Sequence, residues 1–559
     1  MQPLFPIKNI ESQNVLKSSF VSPNTEAHYQ KKHDELNRQY EKQKLELIEF
    51  KAQAHYWKAQ FEQLKIRHDE LESKVEKLIA DLKKRENQLF GKRSENYPKK
   101  KSEQNNDEDS ARSRGQQYGS IGHGRREYEN LPKIDELISL SEKDKYCPCC
   151  GLPYKELSDT EDSEVIEINV NAYTRAIKRK KYRRCCNCKD NNIAEIITAP
   201  MEGKLLPRSK IGVTIWTFLL LNKYEYKQPI NRSLEQLTNN GLSLAVGTLT
   251  DGFQKLVPLF ADVYDAIEKR SLESNHWHAD ETRWKVYEKI EDKNNTNWYL
   301  WIFHNKETVI FKIAPTRSTN VLTEHFGKDH QGGTLNVDRY SAYKAIAKEG
   351  LFILAFCWAH VRRDFLSHGK GYPEMENWGL SWIDDIAKLY HINNLRMQYN
   401  EKTRLFRQYH GQLKKAIAQM RERLSKELTD KSIVMSKKKI LKSLDNHWSG
   451  LTIFVNYPQI PMDNNLAERG LRPSVVGRKN YYGSGVVWSS KLAAYLFTIF
   501  STIKLHGINP QTWLLGYLQE CVYCGGKAPP NIDKFLPWKM SDEIKKFFRE
   551  PPNIQFPFA

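Results

Sequence analysis

A heptad repeat near the start of the chain constrains its folding more than any other feature. Between residues 36 and 89, alternating steps of three and four residues land mostly on apolar side chains. The exceptions are Gln43, His68 and Arg85. A long helix with this pattern carries one continuous apolar seam. A single amphipathic helix packed on its own protein is the alternative, but the length without a helix breaker favours pairing between chains. We expect a coiled coil over residues 28–96 that forms a homodimer or higher oligomer.

The charge balance of the chain favours a polyanionic partner. Lys and Arg together number 87, Asp and Glu 68, and the net charge is +19. Such a surplus is typical of proteins that bind nucleic acid. The longest apolar stretches fall short of the roughly 20 residues that a spanning helix needs, and the start lacks the pattern of a secretion signal. We therefore expect a multidomain, cytoplasmic, nucleoid-associated protein without membrane contact, with a disordered tail at 1–27.

Two cysteine clusters follow a solvated linker at 97–140, and each contains a Cys-x-x-Cys knuckle. Four thiolates in two tight pairs suit one structural Zn²⁺ ion. The simplest ligand set is Cys147, Cys150, Cys185 and Cys188. Cys149 and Cys186 leave the exact set open. We expect a zinc-binding domain at 141–200 that contains a hairpin with strands at 165–170 and 173–184.

The second arm of this hairpin is strongly basic, which suits contact with a phosphate backbone. The candidate DNA-binding residues on this arm are Arg175, Lys178, Arg179, Lys181 and Arg183. Structural zinc without DNA contact is the alternative. A further pair, Cys521 and Cys524, has no second cysteine pair nearby, so we do not assign a second metal site to it.

Residues 201–270 are predicted to form a helical DNA-binding domain. The pattern favours a helix at 209–224, a second helix that Ser233 caps, a turn at Asn239-Asn240-Gly241 and a third helix at 246–257. Three short helices with a glycine turn are compatible with a helix-turn-helix. An ordinary helical subdomain fits the same pattern equally well.

A period-two pattern then predicts strands rich in aromatic and β-branched residues. They lie at 276–287, 298–304, 308–313, 333–337 and 351–356, with helices at 319–326 and 341–349. Three strands, then helix, strand, helix and strand, is the order of a ribonuclease-H-like α/β domain. We assign it residues 271–505, with a helical insertion at 374–452, and leave 506–559 as a C-terminal segment.

Three acidic residues are predicted to form one site. In such a sheet the first and fourth strands are neighbours, so Asp280 and Asp338 would face one cleft. Glu468 lies on a predicted helix that Asp463 can cap. Each acid alone is weak evidence, but together they suit two Mg²⁺ or Mn²⁺ ions for phosphoryl transfer.

Five further residues are candidates for the surroundings of this site. Arg472, Arg478 and Lys479 follow Glu468 closely enough to hold DNA phosphates, although a solvated basic face is the alternative. His360 and Arg362 follow the fifth strand and are candidates for active-site support. A satisfied structural histidine is the alternative for His360.

Several blocks of the chain, in order, resemble the DDE transposases of the insertion-sequence sixty-six family. The blocks are Leu89-Phe90-Gly91-Lys92-Arg93-Ser94-Glu95, the two cysteine knuckles, Lys223-Tyr224 to Pro229 and Arg232, His278-Ala279-Asp280-Glu281-Thr282, Asp338-Arg339-Tyr340, Cys357-Trp358-Ala359-His360-Val361-Arg362-Arg363, Asp463-Asn464-Asn465 to Arg472-Pro473, Gly477-Arg478-Lys479-Asn480, and Leu536-Pro537-Trp538. The resemblance covers roughly residues 30–545. Arg339 departs from it, because a small residue is expected after the second acid.

This resemblance implies an enzyme that cuts and joins DNA at transposon ends, with Asp280, Asp338 and Glu468 as its acidic triad. Hydrolysis of one strand at each end would free a 3′-hydroxyl, which would then attack target DNA. Accessory proteins of the same element are implied as further partners. Two rival functions stay open, namely a non-catalytic DNA-binding scaffold and a ribonuclease-H-like nuclease that cuts without joining.

Overall fold

The computed structural model describes most of the chain, in two compact units. The described residues are 23–90, 141–142, 144–145, 148–154, 171–183, 196–201, 203–291, 295–327, 330–348, 352–371 and 375–552. One unit comprises Met1–Arg93 with Arg362–Ala387, and the other comprises Ser94–Val361 with Lys388–Ala559. Among the described residues, no helix is long and apolar enough to cross a membrane.

The first unit is dominated by one helix, α1, which spans Pro23–Phe90 and is 68 residues long. The predicted seam lies along it and is open to solvent in the single chain, since Leu64 is 62% exposed and Leu71 60%. The continuous helix is therefore confirmed, and its pairing with a second chain stays a prediction. In the same unit, Phe365 stacks on Trp382 with ring centroids 5.3 Å apart.

The second unit begins with the predicted zinc-binding region. Strand β1, Lys181–Arg183, pairs antiparallel with β2, Ile196–Thr198. The predicted strand at 173–184 is wrong over residues 173–180, which are neither helix nor strand. The backbone groups of a strand need a paired neighbouring strand. In the described part of this arm, β2 pairs only with residues 181–183. The predicted strand at 165–170 lies outside the described residues.

A helical layer follows. Its helices are α2 (Val213–Tyr224), α3 (Ile230–Asn239), α4 (Val246–Leu256) and α5 (Ala261–Leu272). Gly252 lets α4 approach α2, since a Cβ there would lie 2.0 Å from the Trp216 ring. The predicted cap at Ser233 is wrong: α3 begins directly after Pro229, and Ser233 is buried inside the helix. The fixed φ of proline suits the residue that precedes a helix, so the start lies a turn earlier.

A five-stranded sheet forms the centre of this unit. Its strands are β3 (His276–Lys285), β4 (Asn297–His304), β5 (Val309–Ala314), β6 (Gly333–Val337) and β7 (Phe352–Phe356). The order is β5-β4-β3-β6-β7, in which β4 is antiparallel to both neighbours and β6 is parallel to both. Helix α6 (Asn320–Phe326) lies between β5 and β6 along the chain, and α7 (Ser341–Lys348) lies between β6 and β7. All seven predicted elements are confirmed at their predicted places.

Further helices follow the sheet along the chain. They are α8 (Trp358–Gly371), α9 (Glu376–Met397), α10 (Arg404–Thr429), α11 (Met435–Asn446), α12 (Trp448–Asn456), α13 (Asn465–Tyr481), α14 (Val487–Leu505), α15 (Pro510–Tyr523) and α16 (Asp542–Arg549). Helix α14 covers the edge strand β5. Thr498 Oγ1 accepts a hydrogen bond from Phe311 N at 2.8 Å, and Thr502 Oγ1 accepts one from Val309 N at 3.1 Å. These hydroxyls satisfy backbone groups that an open edge would leave unpaired.

Candidate active site

Two of the predicted acids lie on neighbouring parallel strands. Asp280 is in the middle of β3, and Asp338 directly follows the last residue of β6. In the parallel register His278 lies opposite Asn336. Two residues further along each strand come Asp280 and Asp338. Because side chains alternate along a strand, both acids share the sheet face that carries His278 and Asn336.

The third acid approaches from helix α13, which packs on the same face. Asp280 is paired across the strands with Ile302 of β4, so these two side chains point the same way. A Cβ on Gly470 would lie 2.5 Å from Ile302 Cδ1, so glycine allows α13 to lie close against the sheet. Glu468 is in the first turn of that helix. The fold thus brings all three predicted acids to one face of β3 and β6.

The electrostatics of Asp280 reflect this convergence. Burial, together with the charges of Glu281, Asp338 and Glu468, raises its pKa from the ordinary 3.8 to about 7, against a backbone hydrogen bond from Glu281 that lowers it. These three neighbouring charges are all negative. A cluster of this kind favours either a bound proton or a bound cation.

The raised pKa of Asp280 predicts a pH-dependent effect on stability. A carboxyl whose pKa is higher in the folded chain than in the unfolded chain destabilises the fold as it ionises. This loss of folding free energy is absent below about pH 4 and complete above about pH 7. We expect Asp280→Asn to raise the apparent unfolding temperature of the metal-free protein more at about pH 8 than at about pH 5. Calorimetry with chelator present measures this. Asp251→Asn, at an exposed position of α4, is the control, and an equal change at both pH values for Asp280→Asn would contradict the assigned burial.

A set of buried polar side chains anchors α13 to the sheet. Asn464 Oδ1 accepts a hydrogen bond from His278 Nδ1 at 3.0 Å, and Asn464 Nδ2 donates to Ala279 O at 2.7 Å. Burial lowers the pKa of His278 to about 3, so its ring is neutral. Asn464 occupies the N-cap position of α13, one residue after the predicted cap at Asp463, and its side chain makes no cap hydrogen bond. The amide of Asn464 is used to hold β3, and Asp463 Oδ1 accepts from Asn465 N at 3.0 Å.

A second anchor joins the same helix start to β6. Asn336 Nδ2 donates to Pro461 O at 3.0 Å and to Asp463 O at 3.3 Å, while its Oδ1 accepts from His276 Nε2 at 2.7 Å. Asn336 is fully buried. Together the two anchors fix the distance between the helix that carries Glu468 and the strands that carry the two aspartates. Neither role was predicted from the sequence, where the one signal for them is that Asn336 and His278 each lie two residues before an acid.

The opposite face of β3 carries a second network, which supports the loop after Asp338. Glu281 pairs with Arg317 at 2.5 Å and accepts a hydrogen bond from Tyr343 Oη at 2.5 Å. The Arg317 guanidinium lies 3.7 Å from the centre of the Tyr340 ring, and Tyr340 Oη donates to Arg317 O at 2.9 Å. Tyr340 N in turn donates to Asp338 Oδ1 at 2.9 Å. The buried acid beside Asp280 therefore helps to hold the second acid in place.

The other predicted residues near the site differ in their positions. His360 Nδ1 lies 3.6 Å from Glu468 Oε1. Arg472 and Lys479 are exposed, and helical spacing puts them on the same face of α13 as Glu468. Arg478 is instead tied to β3, where it donates to Thr282 Oγ1 at 3.0 Å and to the Arg283 carbonyl. Arg362 belongs to the other compact unit, and its role stays a prediction.

The predicted zinc site is described only in part. Cys149 and Cys150 are exposed and carry no disulfide. Cys147, Cys185 and Cys188 lie outside the described residues. The predicted DNA contacts on the basic arm are all exposed, and Arg179 donates to Ala199 O at 3.3 Å, which ties the arm to the residue after β2.

Comparison with known proteins gives one family and several relatives. A family model described as "Transposase IS66 family" matches residues 208–491, a span that contains the five-stranded sheet and all three acids. The chain is also similar to the uncharacterized protein y4jD of Sinorhizobium fredii, with 25% identity over 429 residues that cover 73% of this chain and 80% of the relative. The uncharacterized protein y4hP of the same organism is 24% identical over 420 residues, which cover 70% of this chain and 73% of the relative.

Proposed function

The chain belongs to the IS66 family of transposases, and from that premise we propose that it binds the ends of an insertion sequence, cuts DNA strands there and joins them to target DNA. Cutting would free a 3′-hydroxyl, and the same site would direct that hydroxyl at a target phosphodiester. The observation that carries the proposal is the approach of Asp280, Asp338 and Glu468 to one face of the sheet.

A ribonuclease-H-like domain is the fold that we propose for the catalytic region. The strand order β5-β4-β3-β6-β7, with only β4 antiparallel to its neighbours, supports it. So do the positions of the two aspartates, since Asp280 lies on the first strand along the chain and Asp338 directly follows the fourth. In this proposal, helices α9 to α12 form an insertion between the fifth strand and the helix that carries Glu468.

The donors of this site fit two Mg²⁺ or Mn²⁺ ions. Asp280, Asp338 and Glu468 offer hard carboxylate oxygens, and the charges that raise the pKa of Asp280 are negative, so a bound cation would relieve them. When bound, such ions stabilise charge on the attacking and leaving oxygens and lower the pKa of water.

The protein's own residues keep this donor set in place. The backbone N–H of Tyr340 orients one oxygen of Asp338. The His278–Asn464 and Asn336–Asp463 hydrogen bonds hold the helix of Glu468 against the strands. Asp280 would hold a cation as the ionised carboxylate, since a bound positive charge would stabilise that form. Positioning and preformed electrostatics are the main contributions that an enzyme makes to phosphoryl transfer.

DNA binding is assigned to three surfaces. Arg472 and Lys479 lie on the Glu468 face of α13 and are proposed to hold phosphates that flank the scissile bond. The basic arm at 171–183 is fully exposed and is proposed to bind the element end. The helical layer α2–α5 is a third candidate, as a helix-turn-helix. Accessory proteins of the same element are proposed as further partners.

Loss of the structural Zn²⁺ ion is expected to weaken end binding. Cys150→Ser and Cys185→Ser each remove one thiolate from a four-ligand site, so zinc content should fall by about one ion per chain and affinity for the element end by at least roughly tenfold. Metal analysis and a gel-shift titration measure the two effects. Cys524→Ser, at the end of α15, is the matched control. Unchanged zinc content in both knuckle variants would refute the assigned ligands.

A nicking assay separates this function from that of a scaffold. Full-length protein is incubated with duplex DNA that carries the element end, with Mg²⁺, with Mn²⁺ or with chelator. The proposal expects nicks at the element boundary that require a divalent ion. Specific end binding without any metal-dependent nick would instead support a non-catalytic scaffold.

A further inference from the structure

Three metal-binding side chains of different chemistry meet beside the proposed catalytic site. Cys357 follows β7, His360 is in the first turn of α8, and Glu468 is in the first turn of α13. One sulfur, one ring nitrogen and one carboxylate oxygen from these residues all lie within 4.8 Å of one another. All three belong to the same compact unit. Two of these residues have no place in the oxygen-only donor set that Mg²⁺ prefers.

The spacing of these donors is close to that of a zinc site. His360 Nδ1 and Glu468 Oε1 are 3.6 Å apart. With metal–ligand bonds of about 2.0–2.3 Å, neighbouring donors of a tetrahedral Zn²⁺ ion are separated by roughly 3.3–3.8 Å. The histidine and glutamate therefore already have the required separation, and small side-chain movements would bring the sulfur to the same distance.

The surroundings of Cys357 favour a metal-bound thiolate. Its Sγ accepts a hydrogen bond from Asn464 N at 3.2 Å, and a backbone hydrogen bond from His360 acts on it as well. Such donors stabilise negative charge on sulfur and orient the ligand.

We propose that Cys357, His360 and Glu468 form a separate site for Zn²⁺ or a similar thiophilic divalent ion, and that occupancy of this site inhibits strand cleavage by withdrawing Glu468 from the catalytic acids. Binding releases the thiol proton of Cys357 to solvent. Two anionic ligands and one neutral imidazole then balance the charge of the ion, and water fills the fourth position. The inhibitory consequence rests on the proposed transposase function, whereas the metal site does not.

The chemistry of the donors gives the site its selectivity. Thiolate and imidazole ligands prefer Zn²⁺ and other transition metals over Mg²⁺. The remaining catalytic acids, Asp280 and Asp338, offer only oxygen. Glu468 is the shared residue, so in this proposal the two sites compete for one side chain.

Cobalt spectroscopy tests the site without any need for activity. Full-length protein is first saturated with zinc at its knuckles and freed of loosely bound metal, and Co²⁺ is then added. We expect a near-ultraviolet thiolate-to-cobalt charge-transfer band that Cys357→Ser abolishes and Cys524→Ser retains. His360→Gln, which leaves the sulfur in place, should weaken Co²⁺ affinity by at least about tenfold. A band that is absent from the wild-type protein, or that survives Cys357→Ser, overturns the proposal.

The inhibitory consequence has a separate test. The rate of Mg²⁺-dependent nicking is measured against added Zn²⁺ and normalised to each variant's own zinc-free rate. The half-inhibitory Zn²⁺ concentration should rise by at least about tenfold in Cys357→Ser and stay unchanged in Cys524→Ser. Equal inhibition of both variants would overturn the role of Cys357 in inhibition. A protein that never nicks DNA would refute the proposed function, while the cobalt spectrum would still report on the metal site.

Discussion

Asp280→Asn, Asp338→Asn and Glu468→Gln are each expected to lower the rate of strand cleavage by at least about three orders of magnitude while binding of the element end is retained. The loss is large because each substitution removes a charged oxygen ligand from a site in which all three carboxylates act together. The fold should survive, since each replacement keeps the size of the side chain. At Asp280 it also removes a charge that burial disfavours.

A neighbouring acid provides the control for these variants. Asp463 lies in the segment that enters α13, and its Oδ1 accepts a hydrogen bond from Asn465 N that an asparagine oxygen can also accept. Asp463→Asn should therefore retain cleavage within a few-fold of wild type. Cleavage by radiolabelled-end assay and binding by gel shift are measured on the same preparations. Retained cleavage in any one of the three acid variants would remove that residue from the proposed triad.

Disruption of the α1 seam is expected to convert the protein from a dimer or higher oligomer to a monomer. Leu64 and Leu71 are both exposed in the single chain, at seam positions of a 68-residue helix. An isolated helix with so much open apolar surface gains stability by pairing. A charge at each of two seam positions removes that gain, so the double variant Leu64→Asp with Leu71→Asp should have the monomer mass by light scattering. Deletion of residues 28–90 should give the same result.

The control must place the same charges on a different face of the helix. Ala59→Asp with Gln63→Asp adds the same two charges to the same helix, but away from the seam. This variant should keep the mass of the wild-type oligomer. A monomeric wild-type protein, or a deletion variant that stays dimeric, would contradict pairing through α1.

The sheet could be predicted from the sequence because its signals are local. Alternation of apolar residues located all five strands, and their order along the chain made β3 and β6 neighbours. Because these strands are neighbours, Asp280 and Asp338 could be predicted to lie close together. Glu468 was harder, because the insertion separates it from both strands, and it was identified through the resemblance as well as through helical spacing.

The errors share a physical cause, which is tertiary context. Ser233 has the spacing of a helix cap, but α3 begins directly after Pro229 and Ser233 is buried inside it. Asp463 accepts a hydrogen bond from Asn465 N, but Asn464 occupies the N-cap position of α13, and its side-chain amide bonds to His278 and Ala279. The hydrogen bonds of Asn464 with His278 and Ala279 join residues 186 and 185 positions apart, and no local pattern records them. The Glu281–Arg317–Tyr343 network was missed for the same reason.

Strand transfer from a pre-cleaved element end tests the central claim most directly. The purified full-length protein is given an end with an exposed 3′-hydroxyl, a target plasmid and Mg²⁺, and the products are resolved by size and sequenced across the junction. We predict a covalent end-to-target product that requires the divalent ion and is absent with Asp280→Asn. Metal-dependent cutting without any joined product, or joining that persists in Asp280→Asn, would contradict a single three-carboxylate site that both cuts and joins DNA.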